Sequence, residues 1–362
     1  MDKVRAHINL PDPGPTGAGV RVAVLDTGID DGHADLAGAV DLAASRSTAM
    51  LSADDIIDRC GHGTHIASIV AGRGTRSSGR YRGIAPAAQL VVYKISSNGR
   101  GFEPDAVAAV EAAIDAGVDI INYSQGYSPA HRGKPPWVWP TAPSLIEQAF
   151  LEASSHGILC IAAIGNDGPS LASINRPAGL EEVLAIGAVD PQNAVAENSS
   201  RGPYVQMESL RIGGERRWDE VLDRNVTRRK KPDLVAPGEH VIAARAKHGQ
   251  AIQHYQLIDP SDPDCPYVRW SGTSMATAVV SGVAACLIQL ARDNGVDLGR
   301  DRAATLRTLL RLGTLKLAKA DERDVGRGLV NWAVLSATLN DFATDEVFRR
   351  TVLEGPGVSL LP

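Results

Sequence analysis

The sequence predicts an α/β protein with a mainly parallel central sheet and helices on both faces. Three observations carry this. Short apolar runs rich in Val, Ile and Ala alternate with helical spans along the 362 residues, as in a parallel sheet covered on both sides. Residues suited to chemistry follow the ends of these runs: Asp26, Gly126 and Asn166. Open parallel sheets carry their sites at the carboxyl ends of strands. Finally, no internal repeat, low-complexity tract or clean cut divides the core elements.

Composition sets the outer bounds. Apolar residues make up 44%, enough for a substantial core, and 37 basic against 42 acidic groups give a net charge of −5. That balance offers no argument for nucleic acid or an anionic membrane. The four cysteines (Cys60, Cys160, Cys265, Cys286) form no CxxC pair, so neither cysteine metal ligation nor a disulfide framework is expected. No apolar signal core follows Met1, and Ile158–Ile164 is too short to span a bilayer. A cytoplasmic location is expected if the chain is full length.

In chain order, residues 1–19 read as an irregular arm with Pro11, Pro13 and Pro15, ending in Thr16-Gly17-Ala18-Gly19. Val20–Leu25 is the first strand, stopped by Asp26-Thr27-Gly28. Asp26 is either a site residue at a strand end or a turn-forming Asp before Gly. A small-residue helix starts near Thr64 within Cys60-Gly61-His62-Gly63-Thr64-His65. His62 and His65 are three apart, but no acidic residue completes an HExxH pattern, so zinc is not expected. Glycine on both sides of His62 implies close backbone approach. Residues 73–82 read as an Arg-rich surface loop.

Leu90–Ile95 is the second strand and Pro104–Ala116 a helix with Pro in its first turn. Val118–Tyr123 is the third strand, ending in Ser124-Gln125-Gly126. Residues 127–143 read as a Pro-rich insertion with Trp137 and Trp139. Ser144–His156 is a helix, Ile158–Ile164 the fourth strand before Gly165-Asn166-Asp167-Gly168, and Val183–Val189 the fifth. Residues 204–230 and about 245–268 read as solvated excursions, separated by Lys231–Gly238, which returns to the core. Trp270-Ser271-Gly272-Thr273-Ser274-Met275-Ala276-Thr277 precedes a long apolar run, Ala278–Leu290, that reads as a buried helix. A further helix is expected over Arg302–Leu312. Ser274 at this helix start is either an N-cap or a nucleophile beside free backbone N–H groups.

Asp26, His62 and Ser274 occur in that order, which separates this chain from an α/β-hydrolase, where Ser within GxSxG comes first. The chain resembles the subtilisin-like serine proteases, a family with the Asp–His–Ser order. The resemblance rests on Val24–Asp30, Gly61–Ala67 and Ser271–Ala276. Ile121–Gly126, Ala163–Gly168, Ser199–Pro203, Lys231–Gly238 and Gly326–Asn331 match further landmarks in order. It spans about residues 17–338, leaving 1–16 as an N-terminal arm and 339–362 as a C-terminal tail.

The resemblance implies a three-layer subtilisin-like fold and a serine endopeptidase acting through an acyl-enzyme. Ser274 would attack, His62 would carry the proton, and Asp26 would orient His62. The Asn166 side chain would join the Ser274 N–H at the oxyanion. Gly99, Arg100 and Gly101, with Ser124, Gln125 and Gly126, would clamp an extended peptide, with Thr273 and Asp167 beside it. Gln125 and Tyr123 stand where the family usually has Leu and Met, so the primary pocket is expected to differ, and Asp167 would favour a basic side chain.

Asp35 matches a calcium-ligand position, but the partner loop carries Arg73, Arg76, Arg80 and Arg82 rather than oxygen ligands. The usual calcium site is expected to be absent, and no cofactor is required. Cys60 beside His62 reads as a reactive thiol or a buried filler. The expected partner is a peptide or protein substrate, with neither nucleic acid nor membrane. The prolines of the arm would block the cleft, and the insertions or tail would serve a further partner, the tail otherwise docking on the body. Two rivals accompany this reading: a narrow processing protease favoured by the insertions, and a catalytically silent peptide-binding protein.

Overall fold

The computed structural model describes residues 1–50, 55–96, 101–128, 139–140, 142–207, 210–212, 215–217, 226–249, 256–262, 264–318 and 320–354. A nine-stranded sheet organises them. From edge to edge it runs Thr314–Leu315, Leu329–Val330, Leu234–Pro237, Val183–Val189, Leu159–Ala163, Ile120–Tyr123, Arg21–Asp26, Gln89–Lys94 and Arg46–Ser47. Every pairing is parallel except that of Thr314–Leu315 with Leu329–Val330. The central strands are buried along their whole lengths. This explains why they read as continuous apolar runs rather than alternating ones.

Two apolar layers follow from the two faces. Alternate residues of Arg21–Asp26 divide between them: Val22 and Val24 pack with the helices His62–Ala71 and Thr273–Asp293, Ala23 and Leu25 with Glu103–Asp115 and Leu145–Ser155. Thr273–Asp293 is apolar and long enough to cross a membrane, yet 89% of its most apolar window is buried inside the body. Such burial marks a core helix. Gly282 lets it approach the Ile84 loop, where a Cβ would stand 2.5 Å from that of Ile84.

Three expectations need correction. The arm is not irregular throughout: Asp2–His7 is helical. Met1, Val4, Ile8 and Leu10 are buried against the body, and Arg5 Nη1 donates to the Gly83 and Ile84 carbonyls at 2.8 and 3.1 Å. No residue of the arm lines the cleft described below, so it does not block it. The 204–230 excursion contains Tyr204–Met207 paired antiparallel with Val226–Arg229, and Tyr204 is buried. The 245–268 excursion ends in a buried strand, Tyr267–Trp270, paired with Val241–Ala244.

The tail docks through the helices Trp332–Thr344 and Glu346–Glu354, which bury Leu339, Phe342 and Val352. Trp137 lies outside the described residues. Of Trp139 only the backbone is described, pairing in parallel with Gln206.

Candidate active site

The carboxyl ends of three adjacent strands, together with the N-termini of two helices behind the sheet, meet at one cleft of about 640 Å³. Asp26 ends its strand fully buried, and its Oδ1 accepts from Thr27 N at 2.8 Å. His62 opens its helix, and its Nδ1 donates to Asp26 Oδ1 at 2.7 Å. A carboxylate can only accept, so the proton sits on Nδ1 and Nε2 is left as an acceptor in the neutral ring. Burial by itself would lower the His62 pKa. The charge and hydrogen bond of Asp26, with Asp58 behind, outweigh it and hold the pKa above the ordinary imidazole value. His62 packs edge-on to Trp270, ring centroids 5.3 Å apart.

Glycine is needed here for two separate reasons. Gly61 caps the helix at φ 97°, a conformation that disfavours side chains. A Cβ on Gly63 would collide with the Gly28 carbonyl. The His62 helix can therefore seat itself directly on the Asp26 turn.

Ser274 is the second residue of Thr273–Asp293, 7% exposed, and lines the same cleft as His62. Its Oγ donates to the Ser124 carbonyl at 2.9 Å, so in this rotamer its proton is not on His62. The Asn166 side chain lies beside it. Asn166 Oδ1 accepts from Thr273 N at 3.0 Å and Thr273 Oγ1 at 3.1 Å. Both Thr273 donors hold the oxygen end, which leaves the Nδ2 donor for a ligand. Ser124, Gln125, Gly126, Gly101, Asp167 and Thr273 also line the cleft. Gly99 and Arg100 lie outside the described residues.

Asp58 went unnoticed in the sequence. It is fully buried beneath the His62 turn. Its Oδ1 accepts from Thr27 Oγ1, Cys60 N and Gly61 N at 2.9, 3.0 and 2.7 Å. Its Oδ2 accepts from Thr64 N and Thr64 Oγ1 at 2.8 and 2.7 Å. Thr27 Oγ1 in turn accepts from Gly63 N at 2.9 Å. One carboxylate thus ties the Asp26 turn to the His62 turn. The available signal was an acidic residue four before a glycine-flanked histidine, too weak alone. Asn122 was also missed: its Nδ2 donates to Ser124 Oγ at 3.0 Å and its Oδ1 accepts from Ser281 Oγ at 2.9 Å.

His65 is buried and also packs edge-on to Trp270, ring centroids 5.7 Å apart. Burial, then His62, pushes its pKa down to about 3, so it is neutral where His62 works. The Cys60 thiol also lines the cleft, and burial pushes it up to about 11. All four cysteines are free and buried. Asp35 is fully buried, with Oδ1 accepting from Arg76 N at 2.9 Å and Oδ2 from Tyr267 OH at 2.8 Å.

Comparison with known proteins gives a family match over most of the chain. A profile of the subtilase family, peptidase S8, matches residues 17–328. The chain is 34% identical to the serine protease AprX of Bacillus subtilis over 87% of its own length and 66% of AprX. It therefore spans just under two thirds of that relative. It is 32% identical to subtilisin BL of Lederbergia lenta over 76% of its length and 78% of that protein. Among solved structures, the prenylagaramide maturation protease PagA superposes with a TM-score of 0.63 at 26% identity, covering 90% of this chain and 95% of PagA. A mutant of the protease domain of PatA gives 0.62 at 25% identity, covering 90% and 96%.

Proposed function

The chain belongs to the subtilase family of serine proteases, and from that premise we propose an endopeptidase working through Asp26, His62 and Ser274 by an acyl-enzyme route. The observation that carries this reading is the 2.7 Å bond from His62 Nδ1 to Asp26 in the same cleft as Ser274 and Asn166. It fixes the tautomer in which Nε2 can take a proton. Rotation of the Ser274 hydroxyl from the Ser124 carbonyl to His62 Nε2 begins the reaction. Oγ attacks the scissile carbonyl, His62 takes the proton and returns it to the leaving amine, and water then repeats the sequence on the acyl-enzyme. Asp26 stabilises the imidazolium formed in between. Negative charge on the former carbonyl oxygen falls to Asn166 Nδ2 and the Ser274 N–H at the helix N-terminus. A peptide lies extended along Ser124–Gly126, with Gly101 facing it, held by backbone hydrogen bonds.

A fluorophosphonate probe tests the nucleophile. Wild-type protein labels, and Ser274→Ala neither labels nor cleaves, with a loss on the order of 10⁴-fold or more. Labelling that survives in Ser274→Ala overturns the assignment, and a wild-type protein that never labels favours a silent peptide-binding protein.

One observation favours a narrower substrate range. PagA and PatA are like this chain over nine tenths of its length, and PagA is a maturation protease. Under this reading the chain processes one precursor or partner, and unfolded casein is cut poorly. Rapid cleavage of casein at many sites favours the generalist.

The Asp35 position does not fit calcium. Both carboxylate oxygens are already taken, and the facing loop brings Arg73 and Arg76 rather than oxygen ligands. A hard cation wants six to eight oxygens. No step of the mechanism involves a metal.

A further inference from the structure

We propose that Tyr204 and Glu147 are positioning residues for the peptide-binding edge: together they fix Arg176, and the Arg176 backbone fixes the end of Ser124–Gly126. The proposal rests on a peptide lying along that edge. The Ser124 carbonyl accepts the Ser274 hydroxyl, so Ser124 stands at the reacting bond. Gly126, two residues on, meets a part of the peptide remote from it. Arg176 backs this end of the edge. Tyr127 N donates to the Arg176 carbonyl at 3.0 Å, and Arg176 N donates to the Tyr127 carbonyl at 3.1 Å. A Cβ on Gly126 would stand 3.1 Å from the same Arg176 oxygen. The two backbones are therefore in close contact, and a shift of Arg176 reaches the edge directly.

The Arg176 side chain is buried and held by groups far away in the chain. Its Nε donates to Tyr204 OH at 3.1 Å and stands 3.1 Å from Glu147 Oε2. Tyr204 OH donates to Glu147 Oε1 at 3.1 Å, which closes a ring of three side chains. Glu147 lies fully buried in the first turn of Leu145–Ser155, and its Oε2 also accepts from Ser144 N at 2.9 Å. A buried ion pair holds its geometry only when the remaining hydrogen bonds are satisfied. The Tyr204 hydroxyl supplies one to each partner. Burial, then Glu147, pushes the Tyr204 pKa up, so the hydroxyl keeps its proton.

Tyr204 belongs to the 204–230 insertion, in the strand Tyr204–Met207 paired with Val226–Arg229. Its ring lies on Gly179, where a Cβ would collide with it. Arg229, opposite Tyr204 in the ribbon, donates from Nη1 to the Gly179 carbonyl at 3.1 Å. No described residue of the ribbon lines the cleft, whereas Arg176, Tyr127 and Ser144 do. The insertion thus acts on the cleft through Arg176 rather than by touching the peptide.

The test uses thioesters of one acyl residue and of a tetrapeptide ending in that same residue. Wild-type protein is expected to favour the longer by about tenfold or more in kcat/KM, because contacts remote from the bond add to transition-state stabilisation. Tyr204→Phe keeps the ring on Gly179 and removes the hydroxyl alone. It is expected to cut that gain by about fivefold, mainly through KM, with the shorter substrate changed by less than about twofold. Glu147→Gln, which removes the charge and one acceptor, cuts it at least as far. A loss that falls equally on both substrates means a general packing role and overturns the proposal, as does a Tyr204→Phe protein with the wild-type gain. If circular dichroism shows one variant to be unfolded, the other decides; two unfolded variants make the ring a requirement of the fold and overturn it. The wild type keeps the readings apart. No gain from the longer substrate sinks the peptide edge itself, whereas a gain that survives Tyr204→Phe sinks only Tyr204.

Discussion

Among single residues, Asp58 makes the most bonds beneath the site while lining no part of it. Five donors converge on its two oxygens, and its charge adds to that of Asp26 in raising the His62 pKa. Two consequences separate if Asp58 becomes Asn. The amide has one acceptor oxygen, so donors on the other side lose their partner and the His62 turn loosens, which lowers kcat/KM by about tenfold or more. The lost charge also lowers the His62 pKa. Activity needs His62 neutral and is lost as pH falls through that pKa, so the acidic limb of the kcat/KM profile moves to lower pH. A variant that slows without moving its limb would leave Asp58 with a packing role alone.

Helices and strands place these groups through their ends. Asp26 ends a strand, whereas His62 and Ser274 open helices and Asn166 follows the Leu159–Ala163 strand. The sheet supplies a common edge and the helix termini supply unpaired N–H groups facing it. The Asp2–His7 helix has a different task. It covers apolar surface with Met1, Val4 and Ile8, and Ile8 O accepts from Trp332 N at 2.7 Å. Deleting residues 1–16 is thus expected to lower Tm by at least about 5 °C without raising peptidase activity. An activated, equally stable protein would show that the arm is an inhibitor after all. Differential scanning calorimetry beside a peptide-cleavage assay reads both.

Across the molecule, stability comes from two apolar layers on one sheet, with the Asp35 region joined by protein contacts. Tyr267 OH and Arg76 N occupy Asp35, and Tyr81 packs edge-on to Tyr267 with centroids 4.7 Å apart. A ligand that binds only the folded state raises Tm. A chelator is accordingly expected to leave Tm unchanged, and added calcium to give no gain; a large chelator-induced drop would restore a metal to this region.

The sequence by itself determined the parallel sheet, because strands buried on both faces must be apolar throughout, and Val183–Val189 reads the same in both. It also offered Asp26, His62, Asn166 and Ser274 as candidates, because the motifs that carry the family resemblance are local patterns in the chain. Only the tertiary structure decided the rest. Asp58 ties its own turn to Thr27, 31 residues earlier, and nothing local distinguishes it from an ordinary loop residue. The arm's place on the body and the buried strand Tyr267–Trp270 depend on which surfaces are left to be covered. The present direction of the Ser274 hydroxyl is a matter of which acceptor the folded chain puts nearest, and that acceptor is a backbone carbonyl 150 residues away.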